Sequence, residues 1–383
     1  MVSRRMGPFD FAPRTRVVYG PGCLSRLGAL AAELGLRRPL LVSDRGLARS
    51  GHSARGRSLL EAAGLDVRVF EDFDHEPDAA TVERGTSVAR GAEVDSLVAL
   101  GGGSSLDCAK GINFLLTNRG RIADYRGYGK TVTPLLPMIG IPTTAGTGSE
   151  AQSYALISDD DHDKMACGDP GAAFRVALLD PELLVSQPRA VAAASGYDAL
   201  SHAVESYVTL KRTPQSDLFA REAFRLLDAH YERILADPGD LAACGAMLLG
   251  AHWAGAAIEA SMLGATHACA NPLSTRFGIV HGQAIALLLP HVVRFNGSVA
   301  GKRYADLLRA AGHDPGPDPS SRLAERLEAL AVRAGLPRGL RAAGAKPDDL
   351  PALAQHAARQ WTGQFNPRPF GESEALALYR EAL

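Results

Sequence analysis

Short apolar runs alternate with helix-length segments through the first half of the chain. Leu40-Leu41-Val42, Val67-Arg68-Val69-Phe70, Leu97-Val98-Ala99-Leu100, Met138-Ile139-Gly140-Ile141 and Val176-Ala177-Leu178-Leu179 are each short and bounded by turn residues. Ala- and Leu-rich stretches of helical length, residues 24–34 and 80–91 among them, lie between several of these runs. That alternation predicts parallel strands joined by crossover helices. The texture changes after Pro181. From Pro188 onward, long Ala/Leu/Arg segments such as residues 217–236 and 321–334 carry helical periodicity and almost no β-branched runs. The expected fold is an α/β domain over residues 1–187 followed by an all-helical domain over residues 188–383, with the boundary at 184–188. The Gly/Pro/Asp-rich stretch at 312–319 reads as a loop inside the second domain. A weakly polar stretch at 241–270 is interrupted by His252, Glu259 and His267, so it reads as a buried Ala/Gly-rich helix pair rather than a membrane span.

Composition narrows the class without changing this picture. At 383 residues the chain suits two domains, taking roughly 100–200 residues for each. Lys+Arg is 41 against Asp+Glu 42, a balance that argues against nucleic acid or an anionic membrane surface as the main partner. Hydrophobic residues at 46% and charged ones at 22% are globular values and exclude wholesale disorder. The five cysteines are odd in number, scattered, and form no CxxC pair, which favours a reducing compartment over a disulfide framework. The basic start Met1-Val2-Ser3-Arg4-Arg5-Met6-Gly7-Pro8 is followed by no apolar run and reads as no signal peptide. The expectation is a soluble, cytoplasmic protein.

Candidate chemistry begins where the Leu97–Leu100 run meets Gly101-Gly102-Gly103-Ser104-Ser105. A glycine-rich turn between strand and helix lets backbone N–H groups approach a phosphate, and the helix N-terminus adds its partial positive charge. Asp107 and Lys110 follow within reach of a ribose or a diphosphate. The same residues also suit an ordinary tight turn with Ser104 as N-cap, and the third glycine of the usual dinucleotide fingerprint is missing. A second loop, Pro142-Thr143-Thr144-Ala145-Gly146-Thr147-Gly148-Ser149-Glu150, follows another apolar strand. Its hydroxyls and glycines offer donors without bulk, where open α/β sheets bind ligands. Asp44, at the end of the run from Leu40 to Ser43, can accept from both hydroxyls of an adenosine ribose and repel a 2′-phosphate. It can equally cap a helix, and Arg45 beside it works against the repulsion. Only six of the 41 basic residues are Lys, so Lys110 and Lys164, the latter after a turn at 159–163, stand out as compact ammonium groups.

In Gly196-Tyr197-Asp198-Ala199-Leu200-Ser201-His202, Asp198 and His202 fall at i and i+4 on one helix face. His267 and His281 come later, in Thr266-His267-Ala268-Cys269 and Val280-His281-Gly282. One carboxylate and three imidazoles suit a borderline divalent ion such as Zn2+ or Fe2+. The competing reading is a surface Asp–His pair and core histidines bonded to backbone.

Together these motifs resemble the iron-containing (group III) alcohol dehydrogenases. The resemblance rests on residues 101–110, the Pro142–Glu150 loop, residues 196–202 and His267 to His281-Gly282. Leu288-Leu289-Pro290-His291-Val292 with Phe295-Asn296, and Phe365-Asn366-Pro367-Arg368-Pro369, extend it over nearly the whole chain. It implies an N-terminal α/β nucleotide-binding domain with a parallel sheet and an all-α metal-binding domain. It also implies metal ligation by Asp198, His202, His267 and His281, by Fe2+ or Zn2+. Diphosphate contacts would come from Gly102, Gly103 and Ser104, with Asp107 and Lys164 toward the nicotinamide. Thr143, Thr144, Thr147 and Ser149 would line the cofactor and Asp44 would meet the adenosine ribose, favouring NAD over NADP. Homodimers or larger assemblies are implied, using a strand near residues 14–19. One position departs from the pattern: Asn271 stands where several relatives carry a second histidine, and an amide cannot relay a proton by titrating.

The implied activity is hydride transfer between a nicotinamide cofactor and a small alcohol–aldehyde or alcohol–ketone pair. The metal would act as a Lewis acid on the substrate oxygen and no covalent nucleophile would be needed. The rivals are a metal-free reductase resembling maleylacetate reductase, a lyase resembling dehydroquinate synthase, and a non-catalytic binding protein. The complete ligand set weighs against the first. The Asp-x-x-x-His start, without a dense Lys/Arg anion pocket, weighs against the second, and the intact loops and ligands against the third.

Overall fold

The computed structural model describes residues 9–74, 76–159 and 164–383. The basic start at 1–8 and all but the first residue of the turn expected at 159–163 lie outside the described residues. The chain forms two compact units, Pro13–Gln187 and Pro188–Leu383, the second including the N-terminal segment that ends at Ala12. Of the described residues, 9–12 therefore go with the helices rather than with the α/β unit. Phe11 accounts for this, its ring lying 5.9 Å from that of Phe219.

In the α/β unit the order is β1 (Arg16–Tyr19), α1 (Leu27–Glu33), β2 (Pro39–Val42), α2 (Arg45–Arg49), α3 (His52–Ala62), β3 (Arg68–Phe70), α4 (Ala79–Gly91), β4 (Ser96–Gly101) and α5 (Gly103–Thr117). Then come β5 (Gly127–Tyr128), β6 (Met138–Pro142), β7 (Tyr154–Ser158), β8 (Lys164–Gly168) and β9 (Val176–Leu179). Six strands form one parallel sheet in the order β1-β9-β6-β4-β2-β3. Every residue of β2, β4, β6 and β9 is buried, which is why these strands read as unbroken apolar runs. Successive residues serve opposite faces. Leu40, Val42, Leu97 and Ala99 join one core with Val82 and Ile112 of α4 and α5, while Leu41, Val98, Leu100 and Ile139 join the other with Leu27 and Leu60 of α1 and α3.

The strand order turns back at β2. From β2 the chain goes outward to β3, then crosses to β4 on the other side and continues to β6. Such a switch leaves a crevice at the carboxyl ends of the two diverging strands, where open α/β sheets hold ligands. Here those ends are Ser43-Asp44 and Gly101-Gly102. Gly101 pairs with Pro142, so the second candidate loop leaves the same edge beside the first.

A small second sheet, β5-β8-β7, was not legible from the hydrophobic pattern. Its β7–β8 pair is antiparallel, with Ser158 opposite Lys164, and its short strands end in polar residues. Lys164 thus opens a strand.

The helical unit comprises α6 (Arg189–Val208), α7 (Pro214–Ala236), α8 (Leu241–Glu259), α9 (Ala265–Phe277), α10 (His281–Ala310), α11 (Pro319–Ala334), α12 (Leu350–Arg359) and α13 (Glu372–Ala382). Helices α8 and α10 are long and apolar enough to cross a membrane by length and composition, yet their apolar windows are 67% and 61% buried within the protein. They are core helices: α8 packs on α6 and α7, and α10 on α6, α9 and α11. The pair expected in 241–270 is α8 followed by the first turns of α9.

Candidate active site

Helix α6 is buried along almost its whole length, and its small residues, Ala192, Ala193, Gly196, Ala199 and Ala203, let neighbouring helices close around it. Its buried hydroxyls turn inward on the helix itself: Ser201 Oγ donates to Asp198 O at 2.7 Å and Ser206 Oγ to His202 O at 2.6 Å. Asp198 and His202 therefore project from a rigid, water-poor element. His267 stands in the first turn of α9 and His281 is the first residue of α10. Asp198 Oδ1 lies 3.4 Å from His202 Nε2, 3.5 Å from His267 Nε2 and 3.7 Å from His281 Nε2. Donors at about 2.0–2.1 Å from a tetrahedral ion are separated by about 3.4 Å; ligand atoms of Asp198, His267 and His281 all lie within 4.8 Å of one another, and His202 joins them through its 3.4 Å approach to Asp198. Two of the facing atoms, Asp198 Oδ1 and His267 Nε2, are buried with no hydrogen-bond partner. Orphaned polar atoms of this kind are rare unless something else satisfies them, and these converge on one point. The donor set present thus fits a divalent cation.

Burial opposes a charged Asp198, but the facing His202, His281 and His267 more than offset it and hold the carboxyl below the usual carboxylate range. Burial likewise opposes a charged His267, yet Asp198 and Glu205 raise it to about 9. The site is electronegative enough to retain a proton that a divalent ion would replace. His281 is its open side: the side chain is 18% exposed, against 5–7% for the other three donors. One accessible flank is the mark of a catalytic rather than a sealed structural site.

Gly282 explains how His281 reaches the cluster. A Cβ there would run into the backbone carbonyl of Ala194, so only glycine lets the first turn of α10 lie this close to α6. Sequence reasoning missed Glu205, also on α6. Its Oε2 lies 2.6 Å from His267 Nδ1 and its Oε1 accepts from Thr266 N at 2.7 Å. The signal was available, since Glu205 falls three residues after His202 and seven after Asp198, on the same face.

In the α/β unit, α5 starts at Gly103 with Gly102 as its N-cap and no side-chain cap. Ser104 is not the cap that the alternative reading required. Gly101 has φ of +156°, and a Cβ on it would collide with Ser105. A Cβ on Gly103 would collide with Thr147, and one on Gly102 would press on Thr144, so the two loops are in direct contact. Gly102, Gly103, Ser104, Thr144 and Thr147 are partly exposed along this rim, while Thr143 and Ser149 are buried behind it. Thr143 N donates to Gly101 O at 3.0 Å.

Of the two roles its position suggests, Asp44 takes the helix cap. Its Oδ1 caps α2 by accepting from Leu47 N at 3.0 Å, and its Oδ2 accepts from Ser105 Oγ at 3.2 Å, beside the glycine loop. Arg45 turns away, bound to Asp72 and, at 3.1 Å, to Asp74. Lys110 is not on the rim at all. Its ammonium is fully buried and donates to Ser149 O, Ser149 Oγ and Tyr154 O at 2.7–2.8 Å, so it is a structural cation and not a phosphate ligand. Asp107 is buried beside it, accepting from Ser149 Oγ at 2.6 Å and Leu156 N at 3.2 Å. Lys164 pairs with Glu76 at 2.8 Å. Asn271, one turn past His267 on α9, donates from Nδ2 to Gln360 Oε1 at 3.1 Å.

Comparison with known proteins shows the family to which this geometry belongs. The iron-containing alcohol dehydrogenase family matches residues 13–181, and the C-terminal region of the Fe-containing alcohol dehydrogenase family matches residues 192–383. The chain belongs to the iron-containing alcohol dehydrogenase family. It is 34% identical to the NAD-dependent methanol dehydrogenase of Bacillus methanolicus, over 97% of this chain and 99% of that one. It is 32% identical to the 1,3-propanediol dehydrogenase of Klebsiella pneumoniae, over 98% and 99%. The solved structure of an alcohol dehydrogenase from Oenococcus oeni superposes with a TM-score of 0.95 at 29% identity, covering 98% of this chain and all of that one. This family member is thus an oxidoreductase of the alcohol dehydrogenase type, moving hydride between a nicotinamide cofactor and an alcohol–carbonyl pair.

Proposed function

We propose that the enzyme prefers NAD to NADP, holds one Fe2+ or Zn2+ ion on Asp198, His202, His267 and His281, and interconverts a small primary alcohol or diol with its carbonyl partner. The observation that carries this reading is the convergence of buried, partnerless Asp198 Oδ1 and His267 Nε2 on the facing nitrogens of His202 and His281. When bound, the ion supplies Lewis-acid polarisation of the substrate oxygen, and the nicotinamide supplies or accepts the hydride. The chain's own residues position and exclude. Buried α6, with α9 and α10, keeps the donors fixed and dry, and the accessible flank of His281 admits the substrate. The uncapped start of α5 and the Gly102–Ser104 backbone receive the diphosphate. Thr144 and Thr147 line the cofactor from the second loop, backed by Thr143 and Ser149, with Asp107 and Lys164 on the nicotinamide side. Asn271 holds no titrating proton, so the alcohol proton leaves by a route that does not charge residue 271.

The α/β unit serves as the nucleotide domain and the helical unit as the metal domain. Edge strand β1, with Val17 and Tyr19 exposed, supports assembly with a second copy as a homodimer or larger oligomer. The free, buried cysteines support a reducing, cytoplasmic setting. An NADH-coupled screen of the metal-reconstituted protein against methanol, ethanol, 1,2- and 1,3-diols and their aldehydes tests the activity. Stoichiometric change in NADH with at least one pair is expected, and none across the panel with either ion would remove the reading.

Asp44 carries the cofactor preference. Because Arg45 is already bound by Asp72 and Asp74, it does not offset repulsion between Asp44 and a 2′-phosphate. Asp44→Gly is expected to narrow the NAD-over-NADP ratio of kcat/KM by roughly 10–100-fold, the scale of one charge-assisted hydrogen bond. A parent enzyme that already prefers NADP would show that Asp44 does not set the choice.

A further inference from the structure

Helix α6 holds His267 from both sides. At one end of the imidazole Asp198 Oδ1 lies 3.5 Å from Nε2, and at the other Glu205 Oε2 lies 2.6 Å from Nδ1. The two carboxylates are seven residues apart, two turns along one face of the same helix. Glu205 is buried, with 4% of its side chain exposed, and its second oxygen is committed to Thr266 N at 2.7 Å. Thr266 N is among the first N–H groups of α9, which has no side-chain cap of its own at Gly264. Space for this arrangement is reserved: a Cβ on Gly264 would stand 3.0 Å from both Glu205 Oε1 and Asn366 Oδ1.

A carboxylate only accepts hydrogen bonds, so a 2.6 Å contact requires the proton on Nδ1. A neutral imidazole then presents its lone pair at Nε2, the atom that faces Asp198 and has no hydrogen-bond partner. We propose that Glu205 is the positioning residue of the metal site, fixing the tautomer and ring orientation of His267 and anchoring the start of α9, and so setting the site's affinity for a divalent cation. This rests on the reading of Asp198, His202, His267 and His281 as ligands.

Glu205→Gln is the informative change because it keeps size and removes only acceptor capacity. Both neighbours of Glu205 are donors. An amide oxygen that keeps Thr266 N turns its NH2 toward His267 Nδ1, which drives the ring proton to Nε2 and blocks the lone pair. The experiment is chelator competition with Zn2+ alone on folded apoprotein of the parent, Glu205→Gln, Glu205→Asp and His267→Ala, with circular dichroism to establish folding. Glu205→Gln is expected to weaken Zn2+ binding about 10–100-fold, as loss of an orienting partner does, and Glu205→Asp, which keeps the charge, to weaken it less. A merely structural role would lower the melting temperature of the apoprotein and leave the Zn2+ dissociation constant unchanged. Parent-like affinity in Glu205→Gln, beside a large loss in His267→Ala, would overturn the role of Glu205 and leave the ligand set standing. Parent-like affinity in His267→Ala would overturn the ligand set and this proposal with it. Should Glu205→Gln not fold, Glu205→Asp decides: a weakened constant supports the role and an unchanged one removes it.

Discussion

Asp198→Ala is expected to empty the metal site and reduce kcat by about 10³-fold or more. Asp198 is the shared element of the cluster, since its Oδ1 is the atom within 3.7 Å of all three imidazoles and it brings the only negative charge among the donors. Without it three imidazoles face one another in a buried space, and His267, bonded to Glu205 at 2.6 Å, keeps a carboxylate partner. A cation would enter a site with no anionic ligand. Lewis-acid stabilisation of charge on a substrate oxygen is worth several kcal/mol, and about 1.4 kcal/mol corresponds to a factor of ten in rate. Elemental analysis and turnover must fall together in this variant, and likewise in His267→Ala. Full metal occupancy with normal turnover in either would remove that residue from the site.

The sequence revealed some parts of this molecule and concealed others, for physical reasons. The strands of the main sheet were legible because they are buried on both faces and so admit almost no polar residue: β2 reads Pro-Leu-Leu-Val and β9 Val-Ala-Leu-Leu. The step from crossover units to long helices was legible at Pro188 because composition changes there. The β7–β8 hairpin was not, since its outward positions carry Tyr154, Leu156 and Ser158 on strands too short for alternation to register. Asp198 and His202 were paired from spacing alone, because helical geometry is local. Nothing local places His267 and His281 beside them. That takes the packing of α9 and α10 on α6, and at one point the absence of a side chain at Gly282. Lys110 misled for a related reason. Helix α5 is buried from Ser105 to Leu115, so periodicity does not say which way any residue on it points, and a lysine after a glycine loop suggests phosphate when it in fact faces inward.

That inward lysine leads to the second large expected effect. Lys110 Nζ is tied to both the carbonyl and the hydroxyl of Ser149 and to Tyr154 O, lies 3.6 Å from Asp107 Oδ1, and sits over the ring of Phe174 at 5.3 Å. It therefore fastens the middle of α5 to the second loop and to β7, beneath the rim on which the cofactor is proposed to lie. Burial already pushes Asp107 above the ordinary carboxylate range, and Lys110 is the main influence holding it down. In Lys110→Ala the carboxyl loses that partner, while Ser149 O and Tyr154 O lose their donor. Breaking a buried pair from one side costs about 3–5 kcal/mol, which for a unit of this size lowers its melting temperature by about 10 °C. Calorimetry of the variant reads this directly, and a variant that melts with its parent would show that the network contributes no stability. Removing both partners is a different experiment. Asp107→Leu combined with Lys110→Met leaves no orphaned charge and is expected to recover most of the lost stability, because buried pairs replaced by apolar residues of similar volume are often neutral. The NAD dissociation constant of that stable double variant then separates the two roles of Asp107. If the constant stays weak, Asp107 contributes to cofactor binding directly, and if it returns with stability, Asp107 acts only through the loops it holds together.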